Sequence, residues 1–368
     1  MCATGRRWLV FGLLSLIASA GFGCGRNRIL GQRIFPLDAA SEVRVMSRNL
    51  YLGADLGPVV TAVAMGDPEA IVAATTAAFA AVGATDFAAR AEALADEIVA
   101  TDPDVVALQE AALWRVQSAS DSFGPSPTPA TTVAWDFAAL LRDALAARGA
   151  RYDVVGEVSE VDVELPAFDP AAGALFDVRF TDRDVVLARA GDGRVRPAAT
   201  GLYAAAVDLG GGVIVPRGWV AVDVTLGDRT VRVVATHLED ASEDVQRAQA
   251  AELLAGPAAV AGDVVVVGDL NTDANRVASA ATYDDLLGAG FADAWIEAGR
   301  LPAEGATWGH DAALTDPAST LSQRLDLVLL RGGLGARDAD VVGEEVADMR
   351  DGLWPSDHAG VVVVVLAR

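Results

Sequence analysis

The sequence predicts one α/β domain built on two sheets, and three observations carry that expectation. Strand-like segments outnumber helical ones. Helices fall between groups of strands instead of alternating with them, which argues against a single parallel βαβα sheet. The chain has 368 residues, of which 52 % are apolar, enough for a large core without metal or disulfide support. No internal repeat and no second linker stand out, and no glycine-rich phosphate loop follows a strand.

The elements follow in order. In residues 1–24, Arg6 and Arg7 precede an apolar run from Trp8 to Ala20 and then small residues. That is the pattern of a secretory signal peptide, too short for a comfortable membrane span. Cys24 follows Gly21-Phe22-Gly23, which resembles a lipoprotein cleavage site, although the usual aliphatic residue three before the Cys is missing. The expectation is export, either free secretion or membrane association through a lipid anchor at Cys24, with an uncleaved anchor as the plainer alternative. The remaining Cys, Cys2, lies inside the signal, so the exported chain holds no internal disulfide. Residues 25–40 read as a linker and 41–368 as the folded domain.

Within that domain "EVRVMSRNLY" (Glu42 to Tyr51) alternates as a strand should. An Ala-rich stretch from about Pro58 to Ala100 has helical spacing, with helix starts at Asp67-Pro68 and Asp86. "PDVVALQE" (Pro103 to Glu110) is a short apolar strand, Ser120 to Thr132 a loop, and Trp135 to Gly149 an amphipathic helix closing on Gly. Strands are expected at 151–158, 183–190, 201–208, 219–226 and 230–236, then a helix over Ser242 to Leu254. "VVVVGDL", "RLDLVLL" and "AGVVVVVLAR" supply the last strands.

Charge bounds the partners. The net charge is −23, and the sequence contains no Lys, so all 28 basic residues are Arg. An acidic surface disfavours non-specific attraction to nucleic acid but does not exclude a small phosphorylated or lipid substrate.

Several strands end in polar residues. These are Gln109-Glu110, Thr236-His237, Asp269 with Asn271, Arg324 with Asp326, and Ser356-Asp357-His358 before the final strand. One such ending would be ordinary; five suggest a convergent site, because sites in sheet proteins gather at strand ends. Each also has a plain reading. Asp269 and Asn271 can form an Asx-turn that stops the strand, His237 can be a satisfied half-buried His, and Glu110 can open a loop. Taken as extended chain, Asp269 and Asn271 at i and i+2 point the same way. Asp326 inside an apolar strand would be buried and needs a partner, and His358 is a natural one. The chain lacks a Cys nucleophile, a GxSxG elbow, an HExxH motif and a His pair at zinc spacing. Few carboxylates with amide and imidazole donors around them suit a hard cation and phosphate oxygens, so phosphoester hydrolysis is the leading chemistry.

The ordered set Asn49, Glu110, His237, "GDLN", "RLDLVL" and "SDH" resembles the endonuclease/exonuclease/phosphatase superfamily, which includes deoxyribonucleases, inositol polyphosphate 5-phosphatases and bacterial neutral sphingomyelinases. The resemblance runs from about Val43 to Leu366. It implies a four-layer α/β sandwich, two mixed β-sheets packed face to face with helices outside. It implies Mg²⁺, with Mn²⁺ as a substitute, held by Glu110, Asn49 and Asp357. It makes His358 the base, Asp326 its orienter, and Asp269 the group that positions or helps activate the water. Asn271 and His237 would donate to phosphate oxygens, and Arg183, Asp184 and Arg324 would line the substrate side. Tyr51 stands where nucleases of the family often carry an acid, which favours a sphingomyelinase-like enzyme acting on a phospholipid or small phosphoester over a secreted DNA nuclease. "VIVPRGWV" (Val213 to Val220) is the one weak candidate for a membrane-attacking loop. A non-catalytic surface-binding protein on the same fold is the alternative of another class.

Overall fold

The computed structural model describes residues 41–208 and 214–368; the expected signal and linker lie outside them. In chain order the elements are β1 (Glu42–Asn49), α1 (Gly57–Met65), α2 (Pro68–Ala84), α3 (Phe87–Thr101), β2 (Val105–Gln109), β3 (Leu113–Gln117), β4 (Thr132–Asp136) and α4 (Phe137–Ala147). Then come β5 (Tyr152–Asp169), β6 (Ala174–Arg189), β7 (Val195–Leu202), β8 (Val207–Asp208), β9 (Ile214–Val215), β10 (Gly218–Leu226), β11 (Arg229–Thr236) and α5 (Glu243–Ala255). The chain closes with β12 (Asp263–Asp269), α6 (Ala281–Gly288), β13 (Ala292–Asp293), α7 (Ala294–Glu297), β14 (Asp326–Arg331), β15 (Leu334–Val342) and β16 (Gly360–Ala367).

One sheet runs β15-β16-β1-β2-β6-β3-β4, with β5 also on β6; the second runs β13-β14-β12-β11-β10-β7. Both are mixed: β1–β2 and β11–β12 are parallel, and their other neighbours are antiparallel. The valines explain the stacking. Val45, Val105, Val186, Val222, Val233, Val265 and Val363 form a dry layer between the sheets. Their sequence neighbours Met46, Val106, Leu187 and Val362 face the other way and pack under α2, α3 and α4. Val234, Val264 and Val266 do the same under α5 and α6. Each fully buried Val or Leu contributes about 1.5–3 kcal/mol. The result is two mixed sheets face to face with helices outside.

The helix starts read from the sequence are capped as expected. Asp67 accepts from the Glu69 and Ala70 amides, Asp86 from Ala89 and Ser242 from Val245. The helix expected from Trp135 begins two residues later, because Trp135 and Asp136 complete β4 and Asp136 caps α4. The short strands expected at 151–158 and 183–190 are the base of a long hairpin, β5–β6, that continues to Asp169↔Ala174. The edge strand β15 is not among the expected strands; its pairing with β16 carries a bulge at Ala336/Asp338.

Candidate active site

The topology explains why the polar strand ends meet. In the first sheet β16, β1 and β2 are adjacent. The start of β16 and the ends of the parallel pair β1 and β2 lie at the same edge, which places His358, Asn49 and Glu110 side by side. In the second sheet β14, β12 and β11 repeat that arrangement with Asp326, Asp269 and His237. Asp269 and Asp326 are direct cross-strand partners. Gly268 allows this crowding: with φ 151°, a Cβ there would lie 1.8 Å from the Thr236 carbonyl oxygen.

The contacts follow. His358 Nδ1 is 2.8 Å from Asp326 Oδ2, and His358 Nε2 is 3.6 Å from Asp269 Oδ2. Asp326 is fixed in turn: its amide and that of Leu325 donate to Thr307 Oγ1. Asn49 Nδ2 donates to Glu110 Oε1 at 3.0 Å and to Asp269 Oδ2 at 3.1 Å, which ties the two sheets together. Glu110 Oε2 accepts from the Leu52 amide. His237 Nε2 lies 3.6 Å from Asp269 Oδ2, so this one carboxylate oxygen faces both imidazoles.

Asn271 reaches the site by another route than the extended chain expected for it. The strand stops at Asp269, Asn271 takes φ 49°, and its amide donates to Asp269 Oδ1. The turn and the site are therefore the same feature. Asn271 Nδ2 donates to the Leu238 carbonyl and lies 3.1 Å from His237 Nε2. Of the three expected lining residues only Asp184 faces the space between the sheets, on the side of Val186. Arg183 points to the opposite face, where it donates to the Ala111 carbonyl and to Asp136. Arg324 is committed to Asp293 Oδ2 at 2.7 Å and to Asn275 Oδ1. Both guanidiniums brace neighbouring segments, and among the described residues their partners do not include Asp269, Asp326, His237 or His358.

Burial and like charge set the electrostatics. The Glu110 carboxyl is pushed up to about 8, first by burial and then by Asp357 and Asp182. Burial, offset by His358 and reinforced by Asp326, lifts Asp269 to about 6. Burial alone would lower His358, but Asp326, Asp269 and Asp357 together hold it up at about 10. His237 behaves oppositely: burial, then Arg217 and His358, keep it well below the usual histidine range. Glu110 and Asp357, close enough for their carboxylates to repel, offer oxygen donors suited to a hard divalent cation, while Asn49 presents Nδ2 to Glu110 and its Oδ1 accepts from the Tyr51 amide. The repulsion between the two carboxylates is what such a cation would relieve, so the residues fit the group. Asp269, Asp326 and His358 also place ligand-type atoms within 4.8 Å of one another.

Some supporting residues gave no sequence signal. Arg48 donates to the His358 carbonyl and pairs through two bonds with Glu97 on α3. Arg90, also on α3, donates to the carbonyls of Leu50, Tyr51, Thr85 and Pro355. The Ala-rich stretch thus carries the side chains that hold both strand-end loops. Of "VIVPRGWV", Val213 lies outside the described residues; the rest, from Ile214, leads into β10 and brings Arg217 to His237.

The two-sheet sandwich thus carries a buried carboxylate–imidazole–carboxylate row at its strand ends. The family model described as the endonuclease/exonuclease/phosphatase family matches residues 79–358, and the chain belongs to that family. Similar solved structures include a family protein from Leptotrichia buccalis C-1013-b, at 15 % identity and TM-score 0.54 over 87 % of this chain and 98 % of that one. Another comes from Bacteroides vulgatus, at 13 % identity and TM-score 0.52 over 89 % and 99 %. A mannosyl-6-phosphatase of Bacteroides thetaiotaomicron VPI-5482 aligns at 16 % identity and TM-score 0.51 over 88 % and 99 %. At these identities the likeness shows the fold. No curated protein matches the chain.

Proposed function

We propose that this chain is a divalent-metal-dependent phosphoester hydrolase, acting on a phospholipid or small phosphoester in preference to DNA. The observation that carries the reading is Asp269 Oδ2, which faces His358 Nε2 and His237 Nε2 at 3.6 Å each and accepts from Asn49. A water held between Asp269 and His358 gives its proton to that coupled pair, while Asp326 keeps the His358 ring in line through Nδ1. Attack is in line at phosphorus, and His237 and Asn271 donate to the phosphoryl oxygens. Glu110 and Asp357, with Asn49 beside them, would hold Mg²⁺ or Mn²⁺, which would supply charge neutralisation during the displacement. The preference against DNA is supported by the net charge of −23 and by the buried acids Glu160, Asp182 and Asp184 around Arg217, beside His237.

The test is a panel of sphingomyelin, phosphoinositides, single- and double-stranded DNA and a chromogenic diester, each with Mg²⁺ and with EDTA. Hydrolysis that EDTA abolishes is expected. His358→Ala and Asp269→Asn should each lower kcat/KM by at least about 10²-fold with the circular dichroism spectrum unchanged. Activity that survives both chelation and His358→Ala defeats the mechanism, and DNA as the best substrate defeats the preference. We also propose export directed by residues 1–24, on the sequence pattern alone.

A further inference from the structure

The polar edge of the sandwich continues one strand further in each sheet, and there it changes character. In the first sheet β6 places Asp184 level with the end of β2, since Val185 pairs with Leu108, and β5 brings Glu160 beside it. In the second sheet β10 starts next to the end of β11, with Trp219 opposite Thr236, so Arg217 enters just before it. Glu160, Asp182, Asp184 and Glu239 are all buried, and Arg217 sits among them with a side chain 11 % exposed. Its guanidinium nitrogens lie 3.6 Å from Glu160, 3.9 Å from Asp182, 3.7 Å from Glu239 and 3.1 Å from Asp240. Its Nη1 is also 3.1 Å from His237 Nδ1.

That last contact selects between the two tautomers of a ring that has donors on both sides. A guanidinium has five N–H donors and no acceptor, and it does not lose its charge in a protein. His237 Nδ1 must therefore offer a lone pair, and the proton of the neutral ring sits on Nε2. Asn271 Nδ2 gives one of its two N–H groups to the Leu238 carbonyl and turns the other toward Nε2 at 3.1 Å, but this neutral donor is outweighed by the charged guanidinium at Nδ1 and by Asp269 Oδ2, which faces Nε2 at 3.6 Å. The Nε2–H is left facing Asp269 Oδ2 and the space beside it.

Glu160, Asp184 and His237 can also be read as a cation site, since their ligand-type atoms lie within 4.8 Å of one another. Arg217 argues against that reading. With Nδ1 accepting from the guanidinium, neither ring nitrogen has a free lone pair, and the guanidinium is the cluster's own cation.

We infer that Arg217 is a positioning residue: held by the acids of β5, β6 and the loop after β11, it fixes His237 in the Nε2–H tautomer that donates to the phosphoryl oxygen. The donation to phosphate rests on the phosphoester hydrolase reading above; the tautomer does not.

The experiment uses the full chain, ¹⁵N-labelled, with imidazole nitrogen–proton correlation spectra recorded without substrate. The chain has three His, so three ring systems appear, and His237→Ala identifies the signal concerned. At neutral pH His237 is expected to carry its proton on Nε2, with Nδ1 unprotonated. Arg217→Met should abolish that single tautomer and lower kcat/KM by roughly 10- to 100-fold, the loss usual for a residue that orients a reacting ring through its far nitrogen. Arg217→Lys, which keeps charge and donor, should keep the Nε2–H form and recover part of the rate. A wild-type His237 protonated on Nδ1 or on both nitrogens overturns the inference. So does an Arg217→Met protein, folded by its amide spectrum, that keeps the Nε2–H tautomer. If Arg217→Met does not fold, loss of the Nε2–H signal in Arg217→Lys overturns it and retention supports it. A wild-type protein with the expected tautomer and no phosphoesterase activity would defeat the functional reading and leave the assignment standing.

Discussion

Asp184 is 1 % exposed, and neither carboxylate oxygen has a hydrogen-bond partner among the described residues. A buried acid in that state normally costs stability, and proteins retain such groups where function needs them. Burial, then Glu160 and Asp182, raises its pKa well above the ordinary carboxylate value. The folded chain therefore binds more protons than the unfolded chain in the window above the ordinary Asp pKa. The neutral carboxyl is tolerated below that pKa, and the stability is lost as pH rises through the raised one. Asp184→Asn should accordingly raise Tm, and the gain should be larger at pH 8 than at pH 5. Thermal unfolding of both proteins in EDTA at the two pH values checks this; a gain that is equal at both, or a loss at pH 8, rejects it. At this scale the sequence was informative about identity and less so about direction. Asp326 inside "LDLVLL" demanded a partner, and His358 supplies it at 2.8 Å. Arg183 and Asp184 looked alike as lining residues. Strand parity, with Val186 and Ala188 inward and Val185 and Leu187 outward, separates them once the pairing is known.

At the scale of elements, α3 does more than cover a sheet. Through Glu97 it fixes Arg48, and Arg48 holds the His358 carbonyl. Arg48 is 0 % exposed, so Arg48→Met removes a buried charge and strands Glu97. Losing one partner of a buried pair typically costs about 3–5 kcal/mol. Burial already holds Glu97 at about 7 in spite of Arg48, so it can take up a proton when left alone. That places the expected loss near the lower end, about 3 kcal/mol. Urea unfolding should show it, and the double change Arg48→Met with Glu97→Leu should recover part of it; a loss under about 1 kcal/mol would mean the pair is not a clamp. These elements were legible in outline because caps and apolar runs are local signals. Asp67, Asp86 and Ser242 announce helices, and the valine runs announce strands. The length of β5–β6 and the existence of β15 were not legible, because edge and hairpin-arm strands are stabilised by pairing more than by their own composition.

For the molecule as a whole, a net charge of −23 and a pI near 4.4 make long-range repulsion of polyanions the main electrostatic effect. Hydrolysis of a short DNA duplex, if measurable, should rise several-fold between 20 and about 200 mM salt as screening shortens the Debye length. A neutral or zwitterionic phosphoester should change less than about twofold. The opposite order would point to a local basic track on an otherwise acidic surface. The proposed export has its own test. Radioactive palmitate should label the full chain in a lipoprotein-processing host, and Cys24→Ser should remove the label; labelling that persists excludes that anchor, and a wild-type chain that never labels points to free secretion.

The sequence by itself determined which residue types this protein has available and roughly where its strands end. Local patterns do that: an apolar run fixes a strand, and a polar pair after it marks its end. It also carried the family resemblance, through "LQE", "GDLN" and "SDH" in order. Only the tertiary structure decided which ends meet. Adjacency in two sheets sets His358, Asn49 and Glu110 opposite Asp326, Asp269 and His237, and strand parity turns Asp184 inward and Arg183 outward. The role of Arg217 is the clearest case. Its neighbours lie between 20 and 57 residues away in sequence, and the contact with His237 exists because β10 pairs with β11. Nothing local distinguishes that arginine from the others; its meaning comes from the acids and the imidazole that the two sheets bring around it.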